Sequence, residues 1–501
     1  MSEVFHVKTK LIDIQEGEEL AIVLNEEQAR EYGISSMDKV SVLYKWEEFI
    51  FDVTLTHRYI NHHEIGITKD ISEKYNIEPG ARVAVRFAQT NREALDALKK
   101  ALKWVKLNYQ EILAIMKDIS TNRFTDTLTT YFSALWFFYK SSDEEMYMMA
   151  KAMAETWEML KFKWVVADKH CMWWIPGNET TMIMIPLLSS LWIKMPKTFS
   201  KSITTPAATW ECVNVLMDIS FSKEEIENLV KKQNCCLVRW WWLDLAPADE
   251  QLIKVAYPLS MQSYSRTVVS IMAKKYAMWI NHSLIDIPIW PTAKVPDMKT
   301  ANRLKKRYEY VGKRLWMKVH VEITKASQPI WAWIWPHLQV REVLRVLQQH
   351  ELRPMDLQNK AVYLSSKLIE VVWLAKWKEA YEMAYQQLKS GKAWKKMQQI
   401  IKAQWWKNPN IKSEDIKLWE FKKEVKAEKD WKVTAIDLHL INSTTRTLWS
   451  PIEEEAWLYL LKKIGDKVKK TDIIYVMYAN EESKIKMALE MLKGKKMYEI
   501  K

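Results

Sequence analysis

Residues 168–181 combine side chains suited to one task, the holding of an anion. Lys169 offers a cation, Cys171 a small polar group, and Thr180 and Thr181 stand just ahead of an apolar run. A cation at a helix N-terminus, where backbone N–H groups converge, favours phosphate. A glycine pair would complete such a cradle, but Trp173 and Trp174 stand there and would fill it. A second segment, 196–209, carries Lys197, Ser200, Lys201, Ser202, Ile203, Thr204, Thr205 and Thr209. It reads as a turn before a helix and suits phosphate and ribose contacts. Serine and threonine clusters are also common in ordinary loops and caps. A third group spans 245–249, 257–262 and 270–275, with Ser270 and Lys274 four apart on one helical face. A fourth, 287–296, contributes Lys294.

These residues need a scaffold. Apolar β-prone runs at 164–166, 183–185, 236–238, 284–287 and 319–323 alternate with helix-length segments, which predicts an α/β sheet with parallel crossovers. Before them, residues from 92 to 160 read as helical. Asn108 with Glu111 and Ser142 with Glu145 form capping-box patterns ahead of apolar stripes, whose methionines are expected in the core. The expected fold class is multidomain α/β. It has a β-rich N-terminal domain at 1–90 and an all-helical domain at 91–160, which helices around 245–280 could join. An α/β phosphate- and nucleotide-binding domain with a mostly parallel sheet follows at 161–420. A C-terminal α+β domain of strands and one helix closes the chain at 424–501.

The 501 residues are 48% hydrophobic, enough for several cores. The longest apolar run, 182–195, is broken by Pro186 and Lys194 and falls short of the about 20 residues that span a bilayer. A soluble, cytoplasmic protein with no membrane partner is expected. Cys171, Cys212, Cys235 and Cys236 have no metal-ligand spacing and no disulfide framework. The net charge of +13 suits anionic ligands but is spread along helical faces, which argues against a nucleic-acid patch.

One feature of the composition is abnormal: 27 tryptophans and only 9 glycines. A chain of this length ordinarily has roughly 35 glycines, about the number that glycine and tryptophan reach together. Several tryptophans fall where a turn calls for glycine. Trp46 lies at the tip of a predicted hairpin, Trp405 and Trp406 in a polar connection, and Trp431 where an Asp-Gly turn would be expected. The competing reading is an aromatic ligand platform, which needs tryptophans on one face. A gene whose UGA codons mean glycine, read with a code in which they mean tryptophan, would give such a chain; UGG codons at Trp173, Trp174 and Trp241 would exclude it.

Taken in order, these segments resemble the pyrimidine-nucleoside and nucleotide phosphorylases, in particular the long archaeal-type branch of AMP and thymidine phosphorylases. The family pattern D-K-H-S-x-G-G-x-P-G-N-x-T-T stands at 168–181, with Cys171 for serine and Trp173-Trp174 for Gly-Gly. A-E-T-G is 154–157, G-G-x-L-N-L-A-P-A-D is 240–249, and Q-P-I-G-x-G-I-G-P is 328–336, with tryptophan at the glycine positions. The resemblance runs over essentially the whole chain. It implies a pentosyltransferase in which phosphate attacks the anomeric carbon of a nucleoside or nucleotide and the base leaves. AMP would give adenine and ribose 1,5-bisphosphate. A pyrimidine nucleoside substrate and a non-catalytic nucleotide-binding homologue remain open.

Carried over, the resemblance gives Lys169, Cys171, Thr181, Ser200 and Thr209 to phosphate. It gives Trp174, residues 200–205, Ser270, Lys274 and Lys294 to the nucleotide. It implies closure about hinges flanking the helical domain, no cofactor beyond inorganic phosphate as co-substrate, and a homodimer or higher homo-oligomer. Two departures stand out. The family's general acid, an aspartate, is Gln262 here, and glutamine has no acidic proton to donate. Lys201 replaces an arginine.

Overall fold

The computed structural model describes residues 4–14, 21–138, 140–156, 159–172, 179–199, 209–239, 247–256, 263–291, 293–325, 327–328, 330, 333–334, 336–405, 408–416, 422–449 and 457–501. Two compact units are formed, Met1–Trp157 with Ala246–Ser265 and Glu158–Leu245 with Arg266–Lys501.

In the first unit six strands, Phe5–Leu11, Ala21–Asn25, Lys39–Tyr44, Glu47–Thr56, Glu64–Ile67 and Arg82–Phe87, close into a barrel. The strand Phe5–Leu11 alternates buried and exposed residues, as a barrel wall requires. Four helices follow: Arg92–Leu102, Tyr109–Ser120, Asp126–Phe138 and Asp143–Glu155. Asn108 and Ser142 form the expected capping boxes with Glu111 and Glu145. Helix Pro247–Ala256 packs on helices Tyr109–Ser120 and Asp126–Phe138, and Lys254 pairs with Asp126 at 3.0 Å.

The second unit holds the parallel sheet. Strand His282–Ile289 lies between Ala167–Cys171 and Lys318–Lys325, parallel to both. Met195–Phe199 runs parallel to Cys235–Arg239, and a parallel bridge from Val166 to Lys194 links the two groups. Helices Pro336–Leu347, Met355–Val371, Trp377–Lys389 and Lys392–Ala403 follow. Four expectations need correction. Of residues 164–166 only Val166 pairs, as an isolated bridge, and the strand is Ala167–Cys171. Residues 183–185 lie in helix Thr180–Ser189, which is buried all round, so its apolar run has no period to separate helix from strand. Residues 196–199 are not a turn but a fully buried strand. The C-terminal region contains two helices, Leu438–Thr447 and Glu482–Met491, beside its strands.

The tryptophans find an explanation in the backbone. Among the described residues, 19 non-glycine residues have positive φ, and 11 of them are tryptophan. Trp46 turns the hairpin between Lys39–Tyr44 and Glu47–Thr56 at φ 71° and is 96% exposed. Trp104, Trp192, Trp279, Trp316, Trp373 and Trp449 each follow a helix, with φ between 57° and 78°. At Trp316, the N–H donates to Lys313 O at 3.3 Å and the next residue, Met317, donates to Gly312 O at 2.9 Å. Trp104 and Trp373 show the same pair of bonds. This is the helix-ending motif in which a left-handed residue, usually glycine, follows the cap. Six separate helix ends do not make one aromatic face, so the platform reading fails for these six.

Candidate active site

Ligands of parallel α/β sheets bind at the carboxyl ends of the strands. Here strand Ala167–Cys171 presents Asp168, Lys169, His170 and Cys171 in succession. Cys171 lies beside Asp286 in register, and Met172 N donates to Asp286 O at 2.7 Å. Helix Thr180–Ser189 begins beyond, and its N-cap residue, Glu179, makes no side-chain capping bond to it among the described residues. Lys169 is 1% exposed and donates to Thr180 Oγ1 at 2.8 Å. A buried ammonium is thus held on a hydroxyl at the helix start, where a phosphate gains from both the cation and the helix dipole. Thr181 is buried in the same first turn.

Two ion-pair groups surround this lysine. Asp286 is fully buried, accepts from Thr324 Oγ1 at 2.6 Å and pairs with Lys360 at 3.3 Å. Burial alone would raise its carboxyl, but Lys360, Lys169 and Thr324 together hold it below the usual carboxylate range. The neighbouring Cys171 thiol is pushed up to about 12, by burial first and by the Asp286 carboxylate second, so it stays neutral. On the other side Asp168 pairs with Lys197 at 3.3 Å and with Lys275. Lys197 Nζ also donates to the Lys169 carbonyl at 2.8 Å. His170 is held well below its ordinary value by burial and by the four lysines around it, Lys275, Lys197, Lys274 and Lys169, so it is a neutral imidazole here.

The Lys197 value has a consequence for stability. Burial, the largest influence, brings its ammonium down from 10.5 to about 7; Asp168 opposes this, while Lys275 and Lys169 reinforce it. The unfolded chain keeps this proton up to about pH 10.5, whereas the folded chain releases it near 7. The charged lysine therefore disfavours folding below about pH 7, and the penalty fades as pH rises from 7 towards 10.5. In thermal unfolding without phosphate, Lys197→Met is expected to exceed the wild type most at about pH 6.5, with the gap narrowing by about pH 9.5. A gap that is constant with pH would remove this assignment.

The nucleotide candidates are partly gathered. Ser270 and Lys274 share a face of helix Tyr264–Ala277, and Lys274 Nζ donates to Ser270 Oγ at 3.2 Å. Lys275 of the same helix reaches Asp168, so this helix is tied to strand Ala167–Cys171. Lys294 lies in the turn after strand His282–Ile289, and burial lowers it to about 8. Thr209 opens a short helix, Thr209–Asn214, that packs against helix Thr180–Ser189. Trp174, Ser200, Lys201, Ser202, Ile203, Thr204, Thr205 and Gln262 lie outside the described residues. The sequence reading missed Asp286, Lys360, Thr324 and Lys275. An aspartate within the apolar run 284–287 was the available signal for the first; Lys360 and Thr324 are distant in sequence and carry none.

Several known proteins are similar to this chain. Residues 446–500 match the pyrimidine nucleoside phosphorylase C-terminal domain. An AMP phosphorylase of Thermococcus kodakarensis is 34% identical over 96% of the chain and 95% of its own length. That of Methanocaldococcus jannaschii is 31% identical over 97% and 95%. A putative thymidine phosphorylase of Bradyrhizobium diazoefficiens is 36% identical over 84% and 80%. Among solved structures, anthranilate phosphoribosyltransferase from Thermus thermophilus shares the fold. It matches with a TM-score of 0.52 at 12% identity, over 62% of this chain and 99% of its own.

Proposed function

Because this chain belongs to the AMP phosphorylase and thymidine phosphorylase family, we propose that it is a pentosyltransferase that cleaves AMP with inorganic phosphate. A phosphate oxygen forms a bond to the anomeric carbon, the bond from that carbon to N9 breaks with its electron pair on the base, and adenine departs with a proton that balances the one that hydrogen phosphate gives up on becoming the ester. Ribose 1,5-bisphosphate is the second product. The observation that carries this reading is Lys169, buried and held on Thr180 at the start of a helix. In that position a bound phosphate would sit beside the positive charge that develops on the sugar and stabilise it. Thr181, Cys171 and Thr209, with Ser200, would complete its donors. Ser270, Lys274 and Lys294, with Trp174 and residues 200–205, would receive the nucleotide. Four cysteines held as thiols fit a cytoplasmic setting, and among the described residues no helix is long and apolar enough to cross a membrane. A homo-oligomer is part of the same proposal.

A specific residue favours a second reading. Gln262 stands where the family has its acid, and a pyrimidine held by cationic and hydroxyl donors needs less protonation than adenine. The test is phosphate-dependent base release from AMP, CMP, UMP, thymidine and uridine. It is run on the full-length chain and on the chain with glycine at 173 and 174. Preference for AMP is expected. Preference for thymidine or uridine would transfer the assignment to the pyrimidine branch, and no release from any substrate would leave a nucleotide-binding homologue.

A further inference from the structure

The group Lys197, Asp168 and Lys275 has no assigned part in the reaction, and it joins two lysines to one carboxylate. All three are buried, at 4%, 2% and 3% exposure, with two ammonium groups facing one carboxylate. Lys169 lies beside this group on Thr180, and its charge acts on Asp286, a second buried carboxylate. Buried charge without a partner is costly, so a fold selected for stability alone would place an apolar side chain at one of these lysines. Methionine would fill the space of Lys197 with little change in length and would leave Asp168 a full partner in Lys275.

The geometry gives a reason for keeping both lysines. Successive residues of a strand point to opposite faces, so Asp168 and Lys169 project away from each other. Lys197 ties the two together, pairing with the Asp168 carboxylate and donating to the Lys169 carbonyl at 2.8 Å. It thereby fixes the peptide from which Lys169 reaches Thr180. Lys275 holds the same carboxylate from helix Tyr264–Ala277, the helix that also carries Ser270 and Lys274. We propose that Lys197 and Lys275 are positioning residues for inorganic phosphate, which fix the strand end that presents Lys169. This rests on the reading of Lys169 as a phosphate ligand.

The experiment compares full-length Lys197→Met, Lys275→Met and Lys169→Met with the wild type. It follows thermal unfolding, the KM values for phosphate and for AMP, and phosphate binding by calorimetry. For Lys197→Met the unfolding temperature is expected to equal or exceed that of the wild type. The KM and Kd for phosphate should rise at least about tenfold, as displacement of the Lys169 contact implies, while the KM for AMP stays within about twofold. A rise of less than tenfold for phosphate overturns the proposal. So does a rise accompanied by a lower unfolding temperature, which would mark a structural role. If Lys197→Met does not fold, Lys275→Met is judged by the same criteria, and failure of both to fold also overturns it. Lys169→Met separates the two levels. If it weakens phosphate and Lys197→Met does not, only the positioning role falls; if it leaves phosphate unaffected, the reading of Lys169 falls as well.

Discussion

Gln262→Asp is expected to raise the turnover of AMP by about 100-fold or more, the lower range of what a positioned general acid contributes. When the bond to N9 breaks, its electron pair stays on the base, and a proton delivered at that moment stabilises the leaving group. A carboxylic acid can supply that proton; an amide can only donate a hydrogen bond without releasing it. The aspartate must be protonated to act, so its variant should gain a limb in the pH profile on which turnover falls as pH rises. The wild type should lack that limb. Turnover of thymidine or uridine should gain less, because their leaving bases need less protonation. If Gln262→Asp leaves AMP turnover and its pH profile unchanged, another group or a water protonates adenine.

The second large effect concerns stability. Exchanging Trp104, Trp192, Trp279, Trp316, Trp373 and Trp449 together for glycine is expected to stabilise the chain by about 3–6 kcal/mol. A left-handed backbone costs an L-residue about 1–2 kcal/mol, and glycine returns about half of that gain through its larger entropy in the unfolded chain. Little burial is lost at Trp192 and Trp316, 82% and 91% exposed, whereas Trp279, Trp449 and Trp104, at 40%, 48% and 55%, also lose packing, which brings the net gain to the lower end of this range. Six separated sites should add, and the total is comparable with the about 5–15 kcal/mol that holds an ordinary domain. The matching sixfold alanine variant also removes the rings but keeps each Cβ and with it the strain. Denaturant midpoints should therefore rise for glycine and not for alanine. Equal gains from both would show that the indole rings, not the backbone, are at fault. A rise confined to glycine agrees with a gene in which these codons mean glycine.

Much of the fold was legible because it rests on local chemistry. The capping boxes at Asn108 and Ser142 need only a hydroxyl or amide and a glutamate three residues on. The hairpin at Lys45-Trp46 needs two strands of period two and a tip that tolerates positive φ. Legibility failed where burial erased the pattern. The helix Thr180–Ser189 is apolar on every side, so 183–185 looked like a strand. Lys197 and Thr198 looked like a polar turn, yet they lie in a strand enclosed by its neighbours.

The candidate site divides in the same way. The order Asp168, Lys169, His170, Cys171, with the threonines ahead of a helix, was enough by itself to set the expectation of a phosphate cradle with tryptophan at its glycine positions. Only the tertiary structure decided which charges meet. The parallel register sets Cys171 beside Asp286, and the packing of two helices brings Lys275 to Asp168 and Lys360 to Asp286. An ion pair depends on the distance between side chains far apart along the chain, and sequence spacing carries no record of that distance. The gathering of buried lysines and aspartates around Lys169 therefore became visible only once the strands lay side by side.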